Sequence, residues 1–321
     1  MQLPIILLKN LYSNEYYASK QEPNLPIEQV LKDINFSANT GELWTVLGSS
    51  VYEIKLLLEI MANAKAYEKG KLMIAGFDTT KKKSIILPHV FYIGSTSMAY
   101  GNMNVLEYLM FITSNSNRNS VDRQEYLLNY LLDSDMGYIC LTPISMLTNQ
   151  EKSIVILTAA MLSDSKLIIF NLPKLHYSPK EIKIISKLTS RIPYLGKSLI
   201  VSTQCYKLAQ FISSHICYID KGRILFNDTL NKFLEYDKVT FLIEPENLNY
   251  TVQSLKYALP QFEYLIENNI LKIITNTDSK KAGTLLFDAL ASFKIDPAIV
   301  MKNKKNIKNS IQGLMRHYDI Q

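Results

Sequence analysis

Apolar residues fall in short bursts along the first two thirds of the chain, and their spacing predicts the elements. Residues 3–8 read as an apolar strand. Polar and apolar positions alternate over 30–36 as in a half-buried strand, a turn follows at 39–41, and the chain returns as a buried strand over 43–47. A helix is expected over 52–64, and KGKLMIAGFD reads as a strand pair turning near Gly70 and Gly76. HVFYIG and SLIVSTQ are further strands, and the unbroken run Leu167, Ile168, Ile169 and Phe170 suits a central parallel strand buried on both faces. Near Glu235 the pattern changes. From Lys238 it reads strand, helix, strand, strand, helix, strand, then an amphipathic helix near 307–315, a βαββαβ order that makes a small split α+β sandwich. The expected domains are therefore 1–235 and 236–321.

Composition narrows the class. With 321 residues, 47% hydrophobic and 20% charged, the chain can bury a substantial core. No apolar run approaches the roughly 18–20 residues that span a bilayer, and the first residues lack the regions of a signal peptide, so a cytoplasmic chain is expected. Cys140, Cys205 and Cys217 are scattered and odd in number, which reads as core thiols rather than a disulfide framework or zinc site. The net charge of +6 is modest. Its densest clusters, Lys81 to Lys83 and Lys302 to Lys308, read as a solvated face before a nucleic-acid surface, with an acidic lipid surface as a third reading. His89, His176 and His215 stand isolated, and Arg316, His317 and Asp319 form a loose tail, not a triad.

The most informative stretch is TVLGSSVYEIKLLLEIM, residues 45–61, where a strand meets a helix at Gly48 in the manner of a phosphate-binding loop. In G-x-x-x-x-G-K-[ST] the glycines let backbone N–H groups wrap phosphates, the lysine neutralises them and the hydroxyl holds magnesium. Here Glu53 replaces the second glycine, Ile54 the lysine and Lys55 the hydroxyl. A carboxylate facing a phosphate is repulsive by about 4 kcal/mol for unit charges ~4 Å apart at an effective dielectric near 20. Taken alone, the loop reads as an ordinary strand-to-helix turn.

Its surroundings read differently. The chain resembles the ATP-binding-cassette family, the ATPase subunits of ABC transporters, over some 220 residues. Tyr16 or Tyr17 matches the adenine-stacking aromatic, Gly41 and Glu42 the turn before the phosphate loop, and KGKLMIAG the strand pair after it. The family's glutamine falls on Ser95, and GNMNVLEYLMFI looks like the start of its helical subdomain, placed at about 97–155. The signature corresponds to Leu147, Thr148, Asn149, Gln150 and Glu151. The magnesium aspartate and the water-polarising glutamate fall on Asn171 and Leu172, the dimer-contact aspartate on Ser178, and the switch histidine on Gln204.

The resemblance implies an α/β fold of the ABC-type P-loop ATPase kind, a mixed sheet core with an antiparallel β subdomain and a helical subdomain, plus the C-terminal βαββαβ domain as in some ABC export ATPases. It implies ATP and Mg2+ as cofactors, while the substitutions imply a weak or lost site around Tyr16, Gly48, Ser49, Ser50 and Lys55, with Thr148 and Asn149 as the altered signature. Leu172 cannot act as a base and Asn171 carries no charge, so no hydrolysis by this chain alone is expected, and no metal site of its own. The implied partners are an ATP-binding subunit, as homo- or heterodimer, and a transmembrane subunit docked at Met98, Tyr100, Met103 and Tyr108, some of which could instead fill the subdomain core. Nucleic acid is not among them. The function expected is a non-catalytic subunit of an ABC exporter on the inner face of the membrane. The alternatives are a residual ATPase acting through a composite site, or a soluble ABC-like scaffold.

Overall fold

The computed structural model describes residues 4–17, 28–81, 86–98, 100–115, 118–267, 269–275, 277 and 279–318. Leu3, Lys82, Lys83 and Asp319, named above, lie outside them. The chain divides into two compact units, Met1–Leu230 and Asn231–Gln321.

Alternation places the central strands of the first unit's parallel sheet between two cores. Strand β3 (Leu43–Gly48), β6 (Val90–Ile93), β7 (Leu167–Asn171), β8 (Ser198–Ser202) and β9 (His215–Asp220) pair in parallel, and β10 (Arg223–Thr229) closes one edge antiparallel, in the order β10-β9-β3-β8-β7-β6. Ile168, Phe170, Leu199 and Val201 pack into one core, while Leu167, Ile169, Ile200 and Trp44 pack into the other. Successive side chains of a strand point to opposite faces, so a strand apolar throughout supplies both.

The second sheet is antiparallel, ordered β2-β1-β4-β5 from β1 (Ile6–Ser13), β2 (Ile34–Ala38), β4 (Tyr67–Ile74) and β5 (Phe77–Asp78). The strands flanking the 39–41 turn do not pair with each other: β2 joins this sheet and β3 the parallel one. Glu42 fixes that parting by accepting from Asn39 N–H at 2.9 Å, the Asn39 amide at 2.8 Å and Trp44 Nε1 at 2.8 Å. Burial works against its charge, but these donors hold the carboxyl below its ordinary value. Gly70 proves not to be a turn residue. It lies within β4, where a Cβ would stand 2.4 Å from the Asn10 carbonyl oxygen, and the turn is made at Ala75 and Gly76.

Three helices over the parallel sheet, α2 (Val105–Ile112), α3 (Ser120–Asp133) and α4 (Asn149–Leu162), join α1 (Val51–Met61), α5 (Pro179–Thr189) and α6 (Tyr206–Ile212). In α4 every residue from Ser153 to Met161 is buried. Its carbonyl end is held by the buried Lys197, whose ammonium donates to Ala160 O at 3.1 Å and to Ser163 O. Among the described residues no helix is long and apolar enough to cross a membrane.

The second unit opens within α7 (Leu230–Leu234). It then runs β11 (Val239–Glu244), α8 (Leu248–Ala258), β12 (Glu263–Glu267), β13 (Ile270–Thr275), α9 (Ser279–Ser292), β14 (Ile299–Lys302) and α10 (Ile307–His317), the expected βαββαβ order and terminal helix. Its sheet is ordered β12-β13-β11-β14, antiparallel throughout. Phe241, Ile243, Leu271 and Ile273 face a core shared with Leu255 and Leu286 of the helices.

Candidate functional site

Three parallel strands, β3, β6 and β7, end close together, and the residues just beyond them line a cleft of about 340 Å3. It brings together Val51 and Lys55 from α1, Gly94 and Ser95 after β6, and Asn171 and Leu172 at the end of β7. A crevice at the carboxyl ends of parallel strands is the usual ligand position in such sheets.

The turn from β3 into α1 is short. Only Ser49 and Ser50 lie between Gly48 and Val51, because Ser50 caps the helix by accepting from Glu53 N–H at 3.3 Å. A phosphate cradle alternates right- and left-handed backbone, yet none of residues 48–55 takes a positive φ. Val51, Tyr52 and Glu53 carry Cβ atoms that disfavour the left-handed region, and they have gone into the helix instead. Gly48 is required by packing: a Cβ there would come 2.3 Å from Ile219 O in the neighbouring strand.

Glu53 stands where the second loop glycine was expected. Its side chain is buried, 4% exposed, and accepts from Gly222 N–H at 3.0 Å and from the Tyr17 hydroxyl. Burial and the adjacent carboxylate push the Tyr17 hydroxyl well above its ordinary value, so it stays a donor. Of the two candidate adenine-stacking rings, Tyr17 is thus tied to the start of α1, and Tyr16 donates to Glu68, which also accepts from Gln29 Nε2 at 2.6 Å. Ser49 donates to the buried Asp220. Lys55 is exposed and lies 3.7 Å from Glu59.

Asn171 is buried, and its amide joins three strands: Nδ2 donates to Tyr92 Oη at 3.0 Å in β6, and Oδ1 accepts from Ser202 Oγ at 2.9 Å in β8. The next residue, Leu172, packs against the helical core. Ser95 Oγ accepts from Ser97 N–H at 3.0 Å, and the exposed Gln204 donates its backbone N–H to Pro173 O at 3.3 Å. Magnesium seeks carboxylate and other hard oxygens. The cleft lining has no carboxylate, and Asn171 Oδ1 and Ser95 Oγ are already accepting, so these residues do not fit the ion. Among the described residues no group of three or more His, Cys, Asp or Glu side chains could hold a metal.

At the other end of the helical subdomain, Thr148 caps α4 in a complete capping box: its Oγ1 accepts from Glu151 N–H at 3.1 Å, and Glu151 accepts from Thr148 N–H at 3.0 Å. Asn149 Oδ1 accepts from Thr96 Oγ1 at 3.1 Å, tying this end to the segment after β6. Ser178 and Glu181 repeat the box at α5. The Ser/Thr-x-x-Glu spacing at 148–151 and 178–181 is a legible sequence signal for these caps, separate from the family motifs that cover the same residues. Each places a carboxylate in the first helical turn, where it satisfies the positive end of the helix dipole.

A second cleft, about 540 Å3, lies between α1, β6 and the helical subdomain, with Phe91, Met98, Tyr100, Tyr108 and Ile112 in its lining. Tyr100 is exposed, its ring 4.9 Å from Phe111, whereas Met98 and Met103 are half-buried against the core and Tyr108 is buried. Phe91 and Phe111 lie within the HVFYIG and GNMNVLEYLMFI stretches, where nothing in the sequence singles out either ring.

No family model matches the chain. It is 23% identical over 206 residues to the cytochrome c biogenesis ATP-binding export protein CcmA of Reclinomonas americana, covering 64% of this chain and 87% of that one. It is 24% identical over 235 residues to the phosphonates import ATP-binding protein PhnC of Fusobacterium nucleatum, covering 69% and 91%. Among solved structures, cbiO1 of Clostridium perfringens, part of the ABC transporter complex cbiONQ, superposes with a TM-score of 0.59 at 15% identity, over 81% of this chain and 97% of that one.

Proposed function

Since the chain is an ABC-transporter nucleotide-binding domain in family and fold, we propose that it is a non-catalytic subunit of a membrane ABC exporter, paired with an ATPase subunit and docked on a transmembrane one. The observation that carries this reading is the start of α1, a closed, capped helix turn with Glu53 buried beneath Tyr17. Phosphoryl transfer needs charge compensation, magnesium and a positioned water together. Here the cradle lacks left-handed residues, the magnesium position is a neutral amide committed to Tyr92 and Ser202, and the base position is leucine. The signature end offers a helix whose Glu151 N–H is taken by Thr148 and whose first turn holds the Glu151 carboxylate on the Thr148 N–H, so it presents a like charge to a partner's phosphate.

The remaining role is mechanical: to hold the dimer and its membrane subunit, or to bias the partner's cycle. The 540 Å3 cleft supports docking, with Tyr100 at its surface and Tyr108 as its floor. Relatives serve both export and import, so export rests on the C-terminal βαββαβ unit, which we assign a regulatory or dimerising role. In this proposal the altered nucleotide-binding domain runs through about residue 235, with the extension after it.

A second reading, nucleotide held without cleavage through a composite site, is favoured by Lys55 and Lys174, which line the 340 Å3 cleft with no carboxylate between them. Calorimetric titration of Mg-ATP into the chain, alone and then with its ATPase and membrane partners, separates the two. The structural role predicts no heat of binding for the chain alone and, in the complex, only the binding that the ATPase subunit shows without this chain, whereas binding in excess of that supports the composite site. Hydrolysis by the isolated chain would overturn both. Glu53→Gly with Ile54→Lys tests the loop alignment, and nucleotide binding by that folded variant is the expected result.

A further inference from the structure

The C-terminal unit holds a cleft that the function above leaves unused. It measures about 590 Å3 and lies between α10 and the outer face of the sheet, where Thr240, Lys272 and Ile274 alternate with the inward Phe241, Leu271 and Ile273. A helix laid on a sheet ordinarily turns its apolar stripe toward it. Here α10 does the reverse. Asn309, Gln312, Gly313 and Arg316, spaced i, i+3, i+4 and i+7 on one side of the helix, line the cleft, whereas Ile307, Ser310 and Leu314 are buried on the other. Two contacts hold the helix there. Asn306 N–H donates to Asp237 at 2.8 Å, and Gly313 lies so close to the chain at Tyr236 that a Cβ would stand 1.9 Å from its carbonyl oxygen.

We propose that this cleft binds a small organic anion, one bearing a carboxylate or phosphate group, held by Lys272 from the sheet and Arg316 from the helix. The strand register sets Lys272 between Leu242 of β11 and Leu265 of β12, half-buried and with no acidic residue directly opposite. Arg316 stands on the facing wall. Among the described residues neither head group has an ion-pair or hydrogen-bond partner. The carboxylates of the lining are otherwise engaged, except one. Glu263 is paired with Lys238 at 2.6 Å, and Asp237 is buried on the Asn306 N–H with Lys305 nearby, which leaves Glu235, exposed, as the like charge an incoming anion would meet.

The guanidinium fork suits either head group, and the lysine adds a point charge from the other side. Leu265 and Ile274 give the wall an apolar strip for the body of the ligand, in a volume typical of small-molecule sites. Because the two cations belong to different elements, a bound anion joins α10 to the sheet. The proposal rests on the regulatory reading of the C-terminal unit, to which it gives a ligand class, and not on the loss of hydrolysis.

Titration calorimetry of the full chain with citrate and with glycerol 3-phosphate, in low-salt buffer, tests the proposal. Saturable binding of at least one probe is expected, and the tighter of the two identifies the head group. Lys272→Gln and Arg316→Gln should each weaken binding about fivefold, and Glu235→Gln, which removes the like charge, should tighten it about twofold. Lys256→Gln with Lys294→Gln, exposed lysines elsewhere in the unit, should leave it unaltered, and circular dichroism checks that each variant is folded. Amide exchange gives the location: saturating probe should slow exchange across 307–317, because the ligand ties Arg316 to the sheet. Absence of heat with both probes, an equal loss in the control pair, or weaker binding by Glu235→Gln, the mark of a cation site, would overturn the proposal. Each of these results leaves the Mg-ATP titration unchanged, so the two readings fail separately.

Discussion

The buried carboxylate of Glu53 gives the sharpest test of how the start of α1 is built. Glu53→Ala removes an acceptor for Gly222 N–H, at 3.0 Å and buried, and for the Tyr17 hydroxyl. Hydrogen bonds to a charged group contribute about 1.5–3 kcal/mol each, and a stranded buried donor costs about 1–3 kcal/mol. Some of this is offset because a carboxylate no longer has to be desolvated, so the expected loss is about 3 kcal/mol. Glu53→Gln keeps a carbonyl oxygen for Gly222 and an amide that can donate to the Tyr17 oxygen. It gives up only the charge and its interaction with the helix dipole, about 1 kcal/mol. Tyr17→Phe should cost about 1 kcal/mol alone and nothing further in the Glu53→Ala background, where its partner is already gone. Urea unfolding followed by tryptophan fluorescence reads this directly. Trp44 is the chain's only tryptophan, is 4% exposed and lies in β3 of the same unit, so the signal reports the unit that contains Glu53. Equal losses for Glu53→Ala and Glu53→Gln, or fully additive losses for Glu53→Ala and Tyr17→Phe, would show that the carboxylate does not hold Tyr17 or Gly222, and the closed loop would lose its basis.

Asn171→Asp should destabilise the same unit by about 2 kcal/mol at neutral pH, because a charge then sits buried between Tyr92 and Ser202. The deficit should shrink as pH falls and the carboxyl protonates, and a variant as stable as the parent at pH 7 would mean the site is wetter than the structure shows. Burial lowers the Lys197 ammonium from 10.5 to about 8. The unfolded chain therefore binds more protons between those values, and this residue's contribution to stability rises with pH from about 8 to 10.5. Lys197→Met should flatten that slope in urea unfolding measured across the range, and an unchanged slope would refute the assignment. Tyr100→Ser, at the exposed ring, should weaken capture by the membrane partner in a pull-down while the Trp44 unfolding transition stays in place, adding Met98→Ser should release the chain, and a complex that survives both would remove the docking role from this cleft.

What the sequence by itself determined was the order of elements and the family likeness. An all-apolar run such as 167–170, with no polar position to give to solvent, suits a strand covered on both faces. The sequence also places a leucine at 172 and an isoleucine at 54, which lack acid–base and phosphate-pairing chemistry in any fold. Only the tertiary structure decided what those positions do instead. Glu53 finds partners 36 and 169 residues away, and Asn171 finds them 79 and 31 residues away. Nothing local in the chain marks such pairs. The fates of Tyr100 and Tyr108 part in the same way, one exposed and one buried, although they share one stretch whose residues suit docking and core filling alike. Local pattern sets strand and helix because backbone geometry repeats every two or 3.6 residues. A buried polar group takes its role from whichever distant donors packing brings within about 3 Å, and that is settled when the sheets assemble.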